Sequence, residues 1–539
     1  MVQLANLFVH DFGGPFAIDS LREIMCIIHI IELQCRSAWM KHELTAEVLI
    51  AGAGAAGLTL AIDLARRNVA FRLIDKLPSP FAGSRGKGIQ PRSQEVFEDL
   101  GVIDRLVAVG GTYPPQREYR ENGSYQDSPL MEQHEARPDE PYLIQLMVPQ
   151  FLTEAVLRER LAELGHRPHF GCELTAFEQD ADGVTAHVMS TDGEETVRVG
   201  YLVGMDGGRS YVRHALDIEF PGQTLGVRAV VADVRLEGLG TDAWHRFSEG
   251  SMERLTSFCP LRGTDMFQLQ APIPMEGEID FSPEALTAWV AARTGRRDIV
   301  IREVLWASAY DMNARLADKY QVGRVFIGGD AAHIHPPTGG QGLNTSVQDA
   351  YNLSWKLAAA IQGASEKLLA TYEEERRPIA AEMLGLSTKL LQAAKQRGDM
   401  RRGRETHQLD LGYPDSSLSL NQPARSPELV MAGDRAPDAP VRGAAGQPTR
   451  LFKLFQGPHW TLIGYQVERE AIAPRRDLHI HTIGVRGDII DEGGYVRDAY
   501  GVSAGDWVLV RPDGYVGAIV SSSELATLSQ YLDGVGIAA

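Results

Sequence analysis

Cysteine is scarce in this chain of 539 residues. There are four, Cys26, Cys35, Cys172 and Cys259, with no CxxC pair and none in the second half. That excludes a disulfide framework and a cysteine-based zinc site. Reduced thiols fit a cytoplasmic location. Long apolar runs are also missing. The best, Ile24 to Ile31 ("IMCIIHII"), is too short to cross a bilayer and has no basic region before it. No membrane span and no secretory signal are expected. Positive charge is in deficit: 53 Lys and Arg against 71 Asp and Glu leave a formal charge of −18. Such a balance argues against nucleic acid or an anionic membrane as the main partner. Internal repeats and low-complexity tracts are lacking, and no catalytic triad or carboxylate pair stands out. Any difficult chemistry would then belong to a cofactor.

The composition that is present, 44% hydrophobic and 23% charged, is that of a soluble globular protein, and the length calls for more than one domain. Residues 1–43 are read as an N-terminal extension, with residues 1–39 peripheral or not native and Met40 as the biological start. Intact mass of protein from the native gene checks this, and a product beginning at Met1 contradicts it.

From Glu47 to Lys76, "EVLIAGAGAAGLTLAIDLARRNVAFRLIDK" reads as strand, glycine turn, helix, strand. The helix keeps Leu58, Ala61, Ile62 and Ala65 on one face. A right-handed crossover makes the two strands parallel. Gly52, Gly54 and Gly57 form GxGxxG directly after a strand and open a helix. The first glycine makes the turn, the second lets backbone approach a pyrophosphate, and the third lets helix pack on strand. Ala55, Ala56 and Gly57 then present the helix N-terminus to phosphate. Asp75 lies 18 residues past Gly57 at the end of the second strand, where an acid binds a ribose diol, with Lys76 beside it. This fingerprint alone does not separate FAD from NAD.

Farther on, residues 173–189 and 196–203 alternate as strands, and residues 226–310 read as an antiparallel sheet with a helix at 282–292. Residues 111–144 are polar and proline-containing, an excursion from the core. Helices are expected at 149–165, 346–363 and 368–396, and residues 397–425 look like a linker before a small α/β region.

Two further stretches carry a resemblance. "YLVGMDGGRSYVRHAL" (201–216) resembles the DG motif, and "GRVFIGGDAAHIHPPTGGQGLN" (323–344) the GD motif, of the FAD-dependent aromatic hydroxylases of the para-hydroxybenzoate hydroxylase type. The likeness runs over about residues 44–395 in order. The C-terminal region, with "GDRAPD", "HWTLIGY" and "VLVRPDGYVG", resembles the thioredoxin-like domain of phenol-hydroxylase relatives. It holds no cysteine, so redox exchange is excluded there.

The resemblance implies an α/β protein: a Rossmann-like FAD-binding domain (44–112, 145–225 and 320–396), an inserted antiparallel-sheet substrate domain (113–144 and 226–319), a linker (397–425) and a thioredoxin-like α/β domain (426–539). It implies FAD as cofactor, NAD(P)H as co-substrate, O2 and a small aromatic, phenolic or polyketide substrate hydroxylated through a C4a-hydroperoxyflavin. A homodimer is also implied. On this reading Asp330 accepts from flavin sugar hydroxyls. Pro337, Gly340, Gly342, Leu343 and Asn344 lie along the flavin, with the amides of 342–344 at its pyrimidine edge. Asp206, Gly207, Ser210 and Arg213 match the DGxxSxVR pattern, with Gly208 where the family usually has alanine. A plain helix salt bridge is the alternative for Arg213. Arg85 matches an arginine of the mobile loop over the flavin, and Gln150 a glutamine touching FAD. His333 and His335, spaced i, i+2 on an extended chain, would point to opposite sides, which speaks against a metal and for packing beneath the flavin. His245, Phe247, Phe258, Phe267 and Gln268 are the substrate-facing candidates of the sheet, with ordinary core packing the leading reading for each. Other readings stay open: an oxidase or reductase without oxygen insertion, an antibiotic-inactivating monooxygenase, and a flavin-binding protein without activity.

Overall fold

The computed structural model describes residues 44–537 apart from 133–134, 249–250, 252, 398–401, 421–424, 427 and 485–486. The expected N-terminal extension, with Cys26 and Cys35, lies outside them. The described residues begin with strand β1 (Ala46–Ala51), helix α1 (Ala55–Arg66) and strand β2 (Phe71–Asp75). Helix α2 (Gln150–Glu163) and strand β3 (Gly193–Gly204) follow. A second sheet is built on β4 (Gly222–Glu237), β5 (Phe267–Ile273), helix α3 (Pro283–Thr294) and β6 (Val300–Leu316). The chain then returns through β7 (Val325–Ile327) to helices α4 (Gly342–Ile361) and α5 (Lys367–Arg397).

In the first sheet β7, β3, β1 and β2 lie side by side and parallel. Val48, Leu49, Ile50, Leu202 and Val203 are buried, as strands covered on both faces must be. Helix α1 packs between α2 and α4. These layers bring the C-terminal ends of β1, β3 and β7 together at one edge, where a doubly wound sheet binds its ligand.

The second sheet is mostly antiparallel. Residues 116–119 and 125–128, expected as an excursion from the core and grouped with the substrate domain, extend it. Alternation gives it two faces. Ala232, Val234, Phe247, Phe258, Phe267 and Leu269 pack on Leu286 and Val290 of α3. Ser282 caps that helix, accepting from the Ala285 N–H at 3.3 Å, and Gly295 ends it in the left-handed conformation.

The C-terminal region is a seven-stranded mixed sheet with a final helix, Leu525–Gly534. It shares a core with the first module: Trp355 of α4 meets Trp460 edge-on at 5.4 Å. The stretch expected as a linker is a packed strap among its described residues. Thr406, Leu409, Leu411 and Tyr413 are buried, and Gln408 donates to Gln341 at 2.6 Å and accepts from Gln348 at 2.6 Å. The buried Gln408 side chain is thus paired at both ends to protein amides.

Candidate functional site

The three glycine-rich motifs converge. The Gly52 backbone has φ +107°, and a Cβ there would fall 2.2 Å from the Met205 carbonyl oxygen, just before Asp206. The Met205 N–H donates to the Ala51 carbonyl at 2.7 Å. At Gly57 a Cβ would lie 1.9 Å from the Gly52 carbonyl oxygen. These two glycines serve the fold. Gly54 differs: its backbone is ordinary (φ −74°), and a Cβ would find only Glu154 Oε1, 3.8 Å away. Ala55 is buried and Ala56 half-buried. A Cβ on Gly329, beside Asp330, would come within 3.5 Å of Ala56, so the GD segment lies against the first helix.

Arg213 ties the DG segment to the GD segment. Its guanidinium donates to the Ala331 carbonyl at 2.9 Å and the Gly208 carbonyl at 3.0 Å, over the Phe220 ring. The salt-bridge alternative therefore gives way to carbonyl bridging. Ser210 caps the short helix that holds it, accepting from the Arg213 N–H at 2.9 Å. Gly207 has φ +81° and no neighbour for a Cβ within 4 Å; at Gly208 Ile334 would lie 2.9 Å away.

Neither α1 nor α4 has a side-chain cap. Both helix N-termini therefore offer backbone donors and a positive dipole end. Helix α4 begins at Gly342, four residues before the expected start at 346. Tertiary contacts override the poor helix propensity of glycine. Asn344 donates to the Gly88 and Gly340 carbonyls at 2.9 and 2.7 Å and accepts from the Gln90 N–H at 2.8 Å. Its side chain is spent on the clamp, so its backbone remains for a ligand. Leu343 and Gly342 are half-buried, and Pro337 is exposed.

Asp330 is accessible yet ringed by protein, the situation of a cleft wall. Burial raises its carboxyl above the ordinary range, opposed by His333 and Arg85. One carboxylate oxygen of Asp206 is buried without a partner; the other accepts from the Val212 N–H at 3.1 Å. Asp75 accepts from the Ala53 and Leu77 N–H groups, each at 2.8 Å, and Lys76 is exposed. Gln150 accepts from the Gly86 N–H at 3.2 Å and donates to Glu154 at 2.8 Å. Arg85 lies 5.3 Å from the Phe81 ring and 5.9 Å from Trp306.

His333 and His335 do not point apart. The strand they start is only two residues long, and His335 Nε2 reaches His333 Nδ1 at 3.0 Å. His333 Nε2 in turn meets Asp349 at 2.6 Å, and Asp349 pairs with Arg376 at 2.8 Å. Burial holds His335 neutral, with its pKa down to about 3.

Four of the five substrate candidates sit in the sheet's core against α3. Phe247, Phe258 and Phe267 form that core, and His245 is satisfied by Tyr119 Oη at 2.9 Å and the Gly240 carbonyl at 2.7 Å. Gln268 alone of the five faces the first module. Sequence alternation separates two faces but does not say which one a helix covers.

Sequence reasoning also missed Glu154, although its i, i+4 spacing from Gln150 was visible. Burial pushes its carboxyl up to about 7, against Gln150 and Arg158, and Asp75 adds to the rise. In the unfolded chain a glutamate titrates near ~4.3. The folded protein thus keeps a proton that the unfolded one has lost. Stability from this group is highest below ~4.3, falls as pH rises toward 7 and then levels. Glu154→Gln is expected to flatten that part of the melting-temperature profile; an unchanged profile contradicts the assignment.

FAD fits this cleft. Two uncapped helix ends, an orphaned Asp206 oxygen and open space at Gly54, Gly207 and Gly342 face one edge. Residues 45–387 match the FAD binding domain family, and residues 470–539 the phenol hydroxylase C-terminal dimerisation domain. The chain therefore belongs to the FAD-dependent monooxygenases built on that domain. It is 41% identical over 493 residues to a flavin-dependent monooxygenase of Mycobacteroides abscessus, covering 90% of this chain and 99% of that one. It is 32% identical over 538 residues to a 6-methylpretetramide 4-monooxygenase of Streptomyces rimosus, covering 90% and 93%. A solved aklavinone-11 hydroxylase with FAD and aklavinone superposes with a TM-score of 0.78 at 27% identity, covering 92% and 99%.

Proposed function

We propose that this enzyme hydroxylates a flat phenolic polyketide, using NAD(P)H as electron donor and O2 as oxygen source. The observation that carries the reading is the meeting of three motifs and two uncapped helix ends at one sheet edge. In this assignment Gly52, Gly54, Ala55, Ala56 and Gly57 cradle the pyrophosphate of FAD, and Asp75 and Lys76 flank the adenosine sugar. Asp206, Gly207 and Asp330 border the middle of the cofactor. Pro337, Gly340 and the amides of Gly342, Leu343 and Asn344 lie against the ring. Bound FAD supplies electron transfer and activated oxygen; the protein orients the ring, excludes water and places the aromatic substrate. Arg85 and Gln150 hold the loop at 83–88 beside that ring. The aromatic substrate reaches the inner face of the antiparallel sheet by displacing part of this loop, which packs directly on it.

The 6-methylpretetramide 4-monooxygenase and the aklavinone-11 hydroxylase among its relatives support the substrate class. A cytoplasmic location fits the free, buried thiols of Cys172 and Cys259. Among the described residues no helix is long and apolar enough to cross a membrane. The match of residues 470–539 supports a homodimer, to be checked by light scattering.

Asp330→Ala is expected to cost about 2 kcal/mol of FAD affinity, because a buried hydroxyl loses a charged acceptor. FAD content unchanged after dialysis contradicts the role. Aromatic polyketides should stimulate NADH or NADPH oxidation, and a panel assay shows which donor is used.

A further inference from the structure

The sheet face turned toward the cofactor module carries a row of side chains on neighbouring strands. Cross-strand register sets Cys259, Gln268, Asp233 and Trp306 side by side. Residues directly opposite in antiparallel strands share a face. The glycine-rich loop at 83–88 lies over this row. A Cβ on Gly83 would fall 2.3 Å from the Trp306 ring. The Lys87 ammonium bonds Gln268 Oε1 and sits 4.8 Å from the Trp244 ring centre. Gln268 donates to the Ser84 carbonyl. The same loop touches the cofactor cleft, since Gly86 borders Leu343 and Gly88 accepts from Asn344.

Asp233 is the anomaly in this wall. It is fully buried, and neither carboxylate oxygen has a hydrogen bond of good geometry. The Ser84 N–H and hydroxyl act on it as weak, poorly aligned donors, and Lys87 acts on it through space. A buried carboxylate left so poorly satisfied is costly, and native structures rarely keep one without a use.

We propose that Asp233 is the catalytic base of the hydroxylation, receiving the proton of a phenolic hydroxyl of the substrate beside the Lys87 ammonium. The assignment rests on the hydroxylase reading above. The phenolic O–H bond breaks and its proton moves to Asp233. The electron pair left on oxygen enriches the ring carbon that takes up the electrophilic oxygen supplied by FAD, NAD(P)H and O2. That carbon then loses its hydrogen to solvent as a proton, and the phenolic oxygen takes its proton back from Asp233. The carboxylate is thereby restored and no other reactant is needed. A ring reaching Asp233 displaces Ser84 from it.

Burial raises the Asp233 carboxyl to about 6, against Ser84 and Lys87. That value suits a base working near neutral pH. The other titratable groups around the pair favour this assignment. Burial lowers Lys87, with Cys259 and Asp233 acting to raise it and Arg402 to lower it. Cys259 is raised to about 11 and Tyr113 to about 12, so neither competes as a base.

The test uses oxidised holoenzyme with 4-nitrophenol and its methyl ether, 4-nitroanisole, which has no proton to give. Wild type is expected to bind the phenol about tenfold more tightly near neutral pH. The preference should fade as pH drops through about 6, where Asp233 becomes protonated. Asp233→Asn should lose the pH limb near 6, since a neutral amide takes up no proton. Equal binding by wild type, no pH limb in wild type, or a limb near 6 that survives in Asp233→Asn overturns the proposal. The wild-type arms decide even where the variant fails to fold. With aklavinone, Asp233→Asn should retain FAD but form hydroxylated product about a hundredfold more slowly. Wild type inactive on aklavinone, yet still preferring the phenol, would count against the substrate reading and not against Asp233.

Discussion

Gly54→Ala is expected to give a folded protein that no longer holds FAD. The Gly54 backbone suits any residue, and an added Cβ meets nothing closer than Glu154 at 3.8 Å. The fold has no objection to the methyl group. The cofactor does, because the carbon fills the space through which a pyrophosphate approaches the backbone. Losing two charge-assisted hydrogen bonds costs about 3 kcal/mol, close to a hundredfold in affinity. Apoprotein melting should stay within a degree or two of wild type while flavin absorbance after gel filtration disappears. Gly57→Ala gives the control. Its Cβ would stand 1.9 Å from the Gly52 carbonyl oxygen, so there the fold itself should fail. Flavin retained by Gly54→Ala would move the pyrophosphate elsewhere.

Glu375→Gln should cause a large loss of stability without abolishing the fold. Glu375 sits at the centre of a buried charge network. It accepts from Arg511 at 2.7 and 2.8 Å and from Lys356 at 2.7 Å. Asp513 completes the set, accepting from Arg511 at 2.6 Å and from Trp355 Nε1 at 3.0 Å. Burial would raise the Glu375 carboxyl, but Arg511 and Lys356 hold it far below the usual range. Neutralising it leaves two buried cations short of one anion, a change that costs about 3–5 kcal/mol. The network joins α4 and α5 to the C-terminal sheet, so both parts should unfold together in one transition at lower temperature. Two separate transitions, or a melting point near that of wild type, would show that the C-terminal region is an independent appendage.

The sequence was most legible where one residue type has one physical use. A glycine after a strand and before a helix, or an aspartate at a strand end, points to a ligand edge, and the three motifs do meet at one edge. Legibility failed where the answer lies across the sheet. Phe247, Phe258 and Phe267 are substrate candidates for which core packing is the stronger reading; α3 covers that face and they fill its core, but sequence could not say which face the substrate side would be. The face toward the cofactor carries Asp233, Gln268 and Trp306, whose neighbours come from strands far apart in sequence. Arg213 looked free to pair with an acid, yet it holds two backbone carbonyls, one of them 118 residues away. Polar composition made residues 397–425 look like a tether, but amide pairing such as Gln408 with Gln341 is invisible to composition. His333 and His335 follow the alternation rule only while the strand lasts, and it lasts two residues.

The most direct test of the account is to give the reduced holoenzyme isotopically labelled O2 together with an aromatic polyketide such as aklavinone, and to weigh the product. The account predicts a product heavier by one labelled oxygen atom, with the second atom released as water. Consumption of NAD(P)H that yields only labelled hydrogen peroxide and unchanged polyketide, across a panel of phenolic polyketides, would contradict it.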